Sequence, residues 1–259
     1  MTHHSFLFAS LASAVAFAVS GCTTVTKSAQ DTRCYEMRTY YAPPGKLDDL
    51  HARFRDHTLT LFKKHGIENV GYWVPIENSE NKLVYLLAYP SRAARDASWK
   101  TFAADPEWKS AHQKSELNGK LVAKAEQAFL QTTDYSPALK TGNISKGGVF
   151  ELRTYTTPPG SLPNLDARFR GHTMDLFAKH GMKNWIYFHK TQDQPAADIT
   201  LIYFLAHKSR DAAKASFDGF RKDPAWVSAK TESERNGSLT VKDGVKSVFL
   251  VPTDYSPTK

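Results

Sequence analysis

The chain has 259 residues, of which 41% are hydrophobic and 23% are charged, as in an ordinary globular protein. The 34 Lys and Arg residues against 26 Asp and Glu give a formal net charge of +8. This excess is spread along the chain without a long basic run, so we expect no nucleic-acid partner. Two cysteines cannot build a disulfide framework, and without a CxxC pair they predict no zinc site. The composition therefore excludes collagen-like, disulfide-rich and wholly disordered chains.

Residues 1–21 have the features of a signal peptide. Fourteen uncharged and mostly apolar residues, from Phe6 to Val19, have the length of a signal h-region and are short for a bilayer span. They lead into Ser20-Gly21-Cys22, which resembles the lipobox of bacterial lipoproteins. The resemblance implies cleavage before Cys22 and attachment of a diacylglyceryl group to that residue. The n-region departs from the usual pattern because it contains no Lys or Arg; ordinary secretory cleavage and an uncleaved anchor are the alternatives.

Residues 22–33 are expected to form a flexible tether, because Thr, Ser, Lys, Gln and Asp dominate this stretch. Thr23 rather than Asp follows Cys22, which in enterobacterial-type sorting resembles an outer-membrane address. Several acyl chains on one cysteine would hold the protein stably at a membrane. We therefore expect a cell-envelope protein with a lipid anchor, with the periplasmic face of the outer membrane favoured over the inner membrane.

An internal duplication organises the rest of the chain. Residues 35–73 and 150–188 share 22 identities in 39 positions, and residues 85–111 and 203–229 share 14 in 27. The two copies also end alike, with Thr-Asp-Tyr-Ser-Pro at 133–137 and again at 253–257. Two copies about 115 residues apart indicate duplicated domains rather than a solenoid. This divides the chain into a first repeat, a linker rich in Gly, Lys and Ser, and a second repeat, at 34–137, 138–148 and 149–257.

The same order of elements is predicted for each repeat. In the first, a strand at Cys34–Tyr41 stops at Pro-Pro-Gly, and a helix follows whose apolar residues are spaced by three or four. Aromatic and β-branched runs at 70–76 and 82–89 predict a hairpin. Ser91 and Asp105 are expected to cap two further helices before a last strand at about 121–132. This β-α-β-β-α-(α)-β order is the ferredoxin-like split βαβ pattern and predicts an α+β fold.

Both repeats resemble the NIPSNAP family. In the first repeat the resemblance is carried by Tyr-Glu-Met-Arg-Thr-Tyr at 35–40, Pro-Gly at 44–45, Lys-His-Gly at 64–66, a Tyr-Trp strand at 72–73 and Asp-Pro-Glu-Trp at 105–108. It implies the dimeric α+β barrel, in which two ferredoxin-like units set their sheets face to face. Two repeats on one chain would close such a pseudo-dimeric barrel intramolecularly, and further homo-oligomerisation is left open. The family implies no settled biochemical activity.

His57 and His172 are the candidate catalytic residues. Each lies in the apolar stripe of the first helix of its repeat, so the spacing predicts that it faces the sheet and borders a cavity. In related α+β barrel families, including cofactor-free monooxygenases and haem-degrading enzymes, ligands occupy the space between helices and sheet. An imidazole there could act as a general base or an iron ligand. The alternative is a core histidine that is hydrogen-bonded to a neighbour, or a partly exposed one.

The first strand of each repeat carries charged residues on one face and apolar residues on the other. We expect Met37 and Leu152 to face the helices. The charged face is then expected to point into the barrel, with Glu36, Arg38, Glu151 and Arg153. Charges in such a place must be paired, so an ion-pair network that docks the repeats is one interpretation and anion recognition by the two arginines is the other. Two strand aromatics are expected to pack in a core or to line a pocket, namely Tyr72 and Tyr187.

Two hypotheses for function follow. The first is a non-catalytic envelope protein that binds a small hydrophobic ligand or a protein partner, because the sequence has no complete catalytic constellation. The second is a cofactor-free or haem-dependent oxygenase that uses His57 and His172. The sequence contains no HExxH motif, Gly-rich phosphate loop or nucleophile elbow, so it predicts no metal and no cofactor.

Overall fold

A computed structural model describes Met1, Thr2 and residues 31–259. Cys22, most of the predicted signal peptide and most of the predicted tether lie outside the described residues. The first repeat contains β1 (Cys34–Tyr41), α1 (Leu47–Arg53), α2 (Leu59–Lys64), β2 (Glu68–Pro75), β3 (Lys82–Tyr89), α3 (Arg92–Ala104), α4 (Pro106–Ser115) and β4 (Lys124–Thr132). The second contains β5 (Val149–Thr156), α5 (Leu162–Arg168), α6 (Met174–Lys179), β6 (Lys183–Lys190), β7 (Thr200–His207), α7 (Arg210–Lys222), α8 (Pro224–Ser233) and β8 (Val245–Pro252). A short 3₁₀ helix, Ala197–Ile199, precedes β7.

The helix caps predicted for the first repeat are confirmed. The Ser91 hydroxyl accepts a hydrogen bond from the Ala94 amide at 3.1 Å, which caps α3. The Asp105 carboxylate accepts one from the Glu107 amide at 2.7 Å, which caps α4. The last strand begins later than predicted, at Lys124 rather than near residue 121. The reason is local, because the amide of residue 121 bonds the Glu116 side chain instead of a strand.

The strands close into one barrel in the order β1-β3-β2-β8-β5-β7-β6-β4, and all neighbouring strands are antiparallel. Within each repeat the order is that of a ferredoxin-like unit. The repeats are joined at β2–β8, where Trp73 pairs with Pro252, and at β4–β6, where Leu130 pairs with Lys190. The predicted pseudo-dimeric α+β barrel is confirmed.

The barrel interior is an apolar core that both repeats build. Trp73 of the first repeat lies 5.6 Å from Phe150 and 5.7 Å from Trp185 of the second, measured between ring centroids. All three side chains are almost completely buried. A barrel of eight strands is just wide enough for side chains to fill it, so the interior is a packed core that holds the repeats together.

Met37 and Leu152 pack against this interior core, not against the helices. The prediction that Glu36, Arg38, Glu151 and Arg153 point into the barrel is therefore wrong, since alternate residues of a strand point to opposite faces. The charged face of each first strand lies under the helices, where basic, hydroxyl and imidazole groups can pair the carboxylates. Inside the barrel they would lie against the core of buried apolar side chains, where an unpaired charge is costly.

Gly71 makes room for Trp73, one of the two tryptophans of the interior core. A Cβ atom built at Gly71 would lie 2.2 Å from the ring of Trp73, two residues further along β2. The second repeat has Ile186 and Phe188 at the corresponding positions. The two halves of the core therefore fill the same space with different combinations of small and large residues.

The repeated Thr-Asp-Tyr-Ser-Pro segments cross the junctions between repeats. Each aspartate pairs with an arginine of the opposite repeat, in the π-helical turn at Phe54–Thr58 or Phe169–Thr173. Each tyrosine hydroxyl contacts a side chain one turn earlier. The contacts are Arg55–Asp254 at 2.7 Å, His51–Tyr255 at 2.8 Å, Arg170–Asp134 at 2.6 Å and Asp166–Tyr135 at 2.7 Å. The aspartate and the tyrosine of each segment therefore make equivalent contacts to the other repeat.

The linker and the end of the tether contact the barrel. Ile144 of the linker is buried in the interior core, and Gly142 bridges to Thr258 at the C-terminal end. Asp31 accepts a hydrogen bond from the Tyr35 hydroxyl at 2.5 Å and pairs with Arg33 at 2.7 Å. The expectation of a flexible tether up to residue 33 is therefore wrong for its last three residues, 31–33, which are held by these contacts.

Candidate functional site

Each repeat has a cleft between its helices and the outer face of its sheet. The first cleft has a volume of about 340 Å³ and the second about 310 Å³. The first is lined by Tyr40, Arg53, Phe54, Thr58, Phe62, Trp99, Phe102, Trp108, His112, Glu116, Lys120, Val122 and Ala125. The second is lined by Arg153, Tyr155, Arg168, Phe169, Thr173, Phe177, Phe217, Phe220, Arg221, Trp226, Lys230, Glu234, Ser238, Thr240 and Val245.

Most of the residues that line the two clefts occupy equivalent positions, and both clefts have an aromatic wall. In the first, Phe102 packs against Phe62 at 4.8 Å and against Trp108 at 4.5 Å. In the second, Phe220 packs in the same way, at 4.9 Å from Phe177 and 4.4 Å from Trp226. The ring pairs are tilted or edge to face, and aromatic side chains packed in this manner give apolar walls.

A buried arginine lines each cleft. Arg53 and Arg168 are each 5% exposed, although they lie on helices at the surface of the fold. The Nη1 of Arg53 donates to Glu116 at 2.9 Å, and that of Arg168 donates to Glu234 at 2.7 Å. The guanidinium carbons lie 5.6 Å and 5.1 Å from the rings of the cleft tryptophans. Burial alone would raise the pKa of Glu116, but the hydrogen bonds from Arg53 and from the Leu121 amide, together with nearby positive charge, lower it.

A π-helical turn follows each of these arginines, at Phe54–Thr58 and Phe169–Thr173. The wider turn contains an extra residue. After Phe54, the next side chain to face the sheet is therefore Thr58 and not His57. The Thr58 hydroxyl donates to the Arg53 carbonyl at 3.1 Å, and Thr173 bonds the Arg168 carbonyl at 3.2 Å. The two turns therefore position the arginines and threonines of both clefts in the same way.

The same turns place His57 and His172 on the outer side of the helix, where both are exposed. The prediction that they face the sheet is therefore wrong, because it assumed a regular 3.6-residue period through the helix. His57 borders a shallow groove of about 490 Å³ between α2 and α4 on the outer surface. Neither histidine lines the clefts described above.

Arg38 and Glu36 form a buried network beneath the first cleft. Glu36 is fully buried and accepts hydrogen bonds from Arg38 at 2.6 Å and from Arg95 at 2.8 Å. Trp99 and Tyr89 also donate to it, at 3.1 Å and 3.0 Å. Burial alone would raise the pKa of Glu36, but the hydrogen bonds and charges of the two arginines lower it below its usual range. Arg38 is thus bonded to protein groups through Nη1 and Nη2, its buried Nε has no partner among the described residues, and it does not line the cleft.

In the second repeat, different residues pair the corresponding buried carboxylate, that of Glu151. Glu151 is contacted by His207 at 2.9 Å, by Ser247 at 2.5 Å and by Arg153. These contacts lower the pKa of Glu151 although its burial would raise it. The Arg153 guanidinium also donates to Tyr203 at 2.9 Å, and it does line the second cleft.

Tyr72 and Tyr187 lie behind the cleft walls, fully buried and not lining either cleft. The Tyr72 hydroxyl donates to the Asn69 side chain at 2.5 Å, and Tyr187 bonds Asn184 in the same way. Burial raises the pKa of both hydroxyls well above the usual value. Of the two roles expected from the sequence, these contacts correspond to packing in the core.

The arginine of each cleft was not among the site residues predicted from the sequence. A signal was present, because Arg53 and Arg168 each directly precede the phenylalanine of the apolar helical stripe and are followed by the same Phe-Arg-x-His-Thr sequence. Within the described residues no group of three or more His, Cys, Asp or Glu side chains is arranged to hold a metal ion. No helix in this part of the chain is both long and apolar enough to cross a bilayer.

Comparisons with known proteins agree with this architecture. The NIPSNAP family model matches residues 35–137 and 150–257. NipSnap homolog 3B of Mus musculus is 26% identical over 226 residues, which are 87% of this chain and 85% of that protein. The NipSnap homolog of Dictyostelium discoideum is 23% identical over 232 residues, 89% of this chain and 92% of that protein.

A solved structure of a monooxygenase candidate from Lactobacillus acidophilus is similar in fold, with a TM-score of 0.54. It is 11% identical, and the match covers 86% of this chain and 94% of that one, so the likeness concerns the fold alone. The family match, by contrast, spans both repeats and the residues that build both clefts. The protein belongs to the NIPSNAP family.

Proposed function

We propose that the protein binds a small, largely apolar molecule in each of its two clefts. The observation that carries this is the retention of the same cleft in both repeats. The two copies differ in the network behind the cleft and in the filling of the barrel, yet each keeps the aromatic wall, the π-helical turn and the buried Arg–Glu pair. A role in folding alone would not require an open cavity of similar size in both places.

The size and lining of the clefts support a small ligand. Ligand pockets in proteins enclose roughly 300–1,000 Å³ and are mainly apolar with a few placed polar groups. At about 340 and 310 Å³ the two clefts lie at the lower end of this range. The ligand is therefore a small molecule with one polar end, and an extended peptide does not fit.

Titration with the neutral fluorescent probe N-phenyl-1-naphthylamine tests this proposal. We expect saturable fluorescence enhancement with two molecules bound per chain. Ala125→Trp should block the first cleft and Val245→Trp the second, because these exposed strand residues line equivalent positions of the two clefts. Each variant should reduce the stoichiometry to one, and the double variant should abolish binding. Ala97→Trp, on an exposed part of α3 outside the lining, is the matched control. Absence of saturable binding to the wild type would overturn the proposal.

The alternative function, an oxygenase, requires the imidazole of His57 or His172 inside the clefts. Both side chains lie outside the clefts. His112 lines the first cleft, but Lys230 stands at its place in the second. A catalytic imidazole common to both clefts is therefore not present at any lining position. Ligand binding uses the groups that the clefts do share.

We also propose that the protein acts at the cell envelope and is attached to a membrane through a lipid on Cys22. The support is the apolar stretch that leads into Ser-Gly-Cys and the polar residues that follow it. In cells of a Gram-negative bacterium, radiolabelled palmitate should enter the wild-type protein and the Cys34→Ala control. The Cys22→Ala variant should contain less than about a tenth of that label. Equal labelling of the wild type and Cys22→Ala would refute lipidation at this residue.

A further inference from the structure

We infer that the ligand of each cleft carries a carboxylate, and that Arg53 in the first cleft and Arg168 in the second receive it. This inference rests on the proposed function, since it names the polar end of the molecule that the clefts hold. It is carried by the hydrogen-bonding state of the two arginines and by the balance of charge around them.

The buried guanidinium groups are only partly used by the protein. Arg53 makes its hydrogen bonds through Nη1, to Glu116 and to Ser115, and Arg168 does the same with Glu234 and Ser233. The Nε of each is buried and has no partner among the described residues. Buried N–H groups are nearly always paired, and an unpaired one is costly. The same unpaired atom in both repeats indicates a group that is completed by something other than the protein.

The free edge has the geometry that a carboxylate requires. Nε and Nη2 donate two parallel hydrogen bonds, which match the two oxygens of a planar carboxylate. The chain itself uses this edge for carboxylates elsewhere. Side-on Nε and Nη2 pairs join Arg33 to Asp31, Arg55 to Asp254 and Arg170 to Asp134, at 2.6–3.2 Å. At Arg53 and Arg168 the Nε of this edge has no partner among the residues that the structure describes, and both residues line a cleft.

The charges around the clefts favour an anion. Glu116 is the only acidic side chain among the residues that line the first cleft, and Glu234 the only one in the second. Each is already bonded to the buried arginine. Additional basic groups line both clefts, namely Lys120 and His112 in the first and Arg153, Arg221 and Lys230 in the second. Arg221 also pairs with Asp218, and Arg153 with Glu151, so part of this charge is neutralised locally.

The residues that supply these additional basic groups differ between the repeats. Lys120 corresponds to Ser238, whereas Lys230 corresponds to His112. Both clefts nevertheless keep a basic side chain beside the Arg–Glu pair. A lone carboxylate placed in an apolar cleft would be unfavourable, but one bonded side-on to arginine and near a second cation is stabilised.

Calorimetric titration of the wild-type protein with decanoate and with decanol tests the inference, since the two molecules differ in the head group alone. Decanoate should bind at both clefts about tenfold or more tightly than decanol. Equal affinities would overturn the inference and leave the proposed function standing. Failure of both molecules and of N-phenyl-1-naphthylamine would overturn the proposed function as well.

The variants Arg53→Lys and Arg168→Lys test whether these two side chains bind the carboxylate of the ligand. Lysine keeps the positive charge beside Glu116 or Glu234 but lacks the planar edge. Each variant should lose about tenfold or more in decanoate affinity at one of two sites and change decanol affinity little. Arg55→Lys, on the same helix but outside the cleft, is the control. An Arg53→Lys variant with wild-type decanoate affinity at both sites would overturn the assignment. If a variant does not fold by circular dichroism, the comparison of decanoate with decanol on the wild type decides.

Discussion

Replacing Trp73 by alanine is expected to destabilise the protein by about 3–5 kcal/mol, the usual cost of truncating a large buried aromatic side chain. Trp73 is fully buried and lies within 5.5–5.7 Å of Phe150, Trp185 and Phe204, measured between ring centroids. All three of these partners belong to the second repeat. The loss therefore falls on the contact between the repeats, and the cavity cannot close easily because Gly71 has no side chain to fill it.

Urea unfolding followed by tryptophan fluorescence and by circular dichroism measures this effect. The wild type should unfold in one transition, whereas Trp73→Ala should have a lower midpoint and two resolvable transitions as the repeats separate. Leu117→Ala, at a residue that is 77% exposed, should leave the midpoint unchanged. A loss below about 1 kcal/mol in Trp73→Ala would show that the barrel interior does not couple the repeats as its packing implies.

The repeat pattern and the resemblance to the NIPSNAP family were together sufficient to predict the fold. The two first strands, the capping residues and the hairpin could be located because each is specified by local chemistry: proline, glycine, a capping side chain or alternation. The barrel followed from the duplication and from the NIPSNAP resemblance. The exchange of the Thr-Asp-Tyr-Ser-Pro segments was visible only as a repeated ending, because the partners of Asp134 and Asp254 are remote in sequence.

The prediction of which face of the first strand points into the barrel was wrong because both faces contain residues that can be buried. Met37 suggested contact with the apolar helices, but Tyr35 lies on the same face of β1 and belongs to the barrel interior. In the second repeat the same face carries Phe150 and Leu152, a wholly apolar pair. Considering both residues in both repeats would have favoured the interior for this face. Apart from Arg38 on the same strand, the partners of Glu36 come from β3 and α3, and their proximity is set by the fold.

The candidate site was mispredicted for a different reason. The helical period correctly placed Phe54 toward the sheet, but the π-helical turn that follows gives the next inward position to Thr58. No composition rule marks a π-helical turn, and a single extra residue moves His57 from the sheet side to solvent. The arginine before Phe54 then lines the cleft. The chemistry of the site therefore depends on one local irregularity that occurs in both repeats.

Removing the buried charge at Glu36 should destabilise the protein about as much as replacing Trp73 by alanine. In Glu36→Gln, Arg38 and Arg95 lose the carboxylate that pairs them, and breaking a buried pair on one side costs about 3–5 kcal/mol. The free energy of unfolding at pH 7 should fall by about this amount. Glu232→Gln, in an exposed pair with Arg235, should change it by less than about 1 kcal/mol.

The pH dependence separates this charge effect from a packing effect. The pKa of Glu36 in the folded protein is below its usual value of 4.5, so its ionised form stabilises the fold above pH 4.5. This stabilisation is lost as the pH falls below 4.5 and through the folded-state pKa. Since Gln cannot ionise, the difference between the wild type and Glu36→Gln should be greatest near pH 7 and should narrow on acidification. Urea midpoints measured from pH 7 to pH 3 give this difference directly. A difference that stays constant over this range would mean that Glu36 acts through its shape and hydrogen bonds and not through its charge.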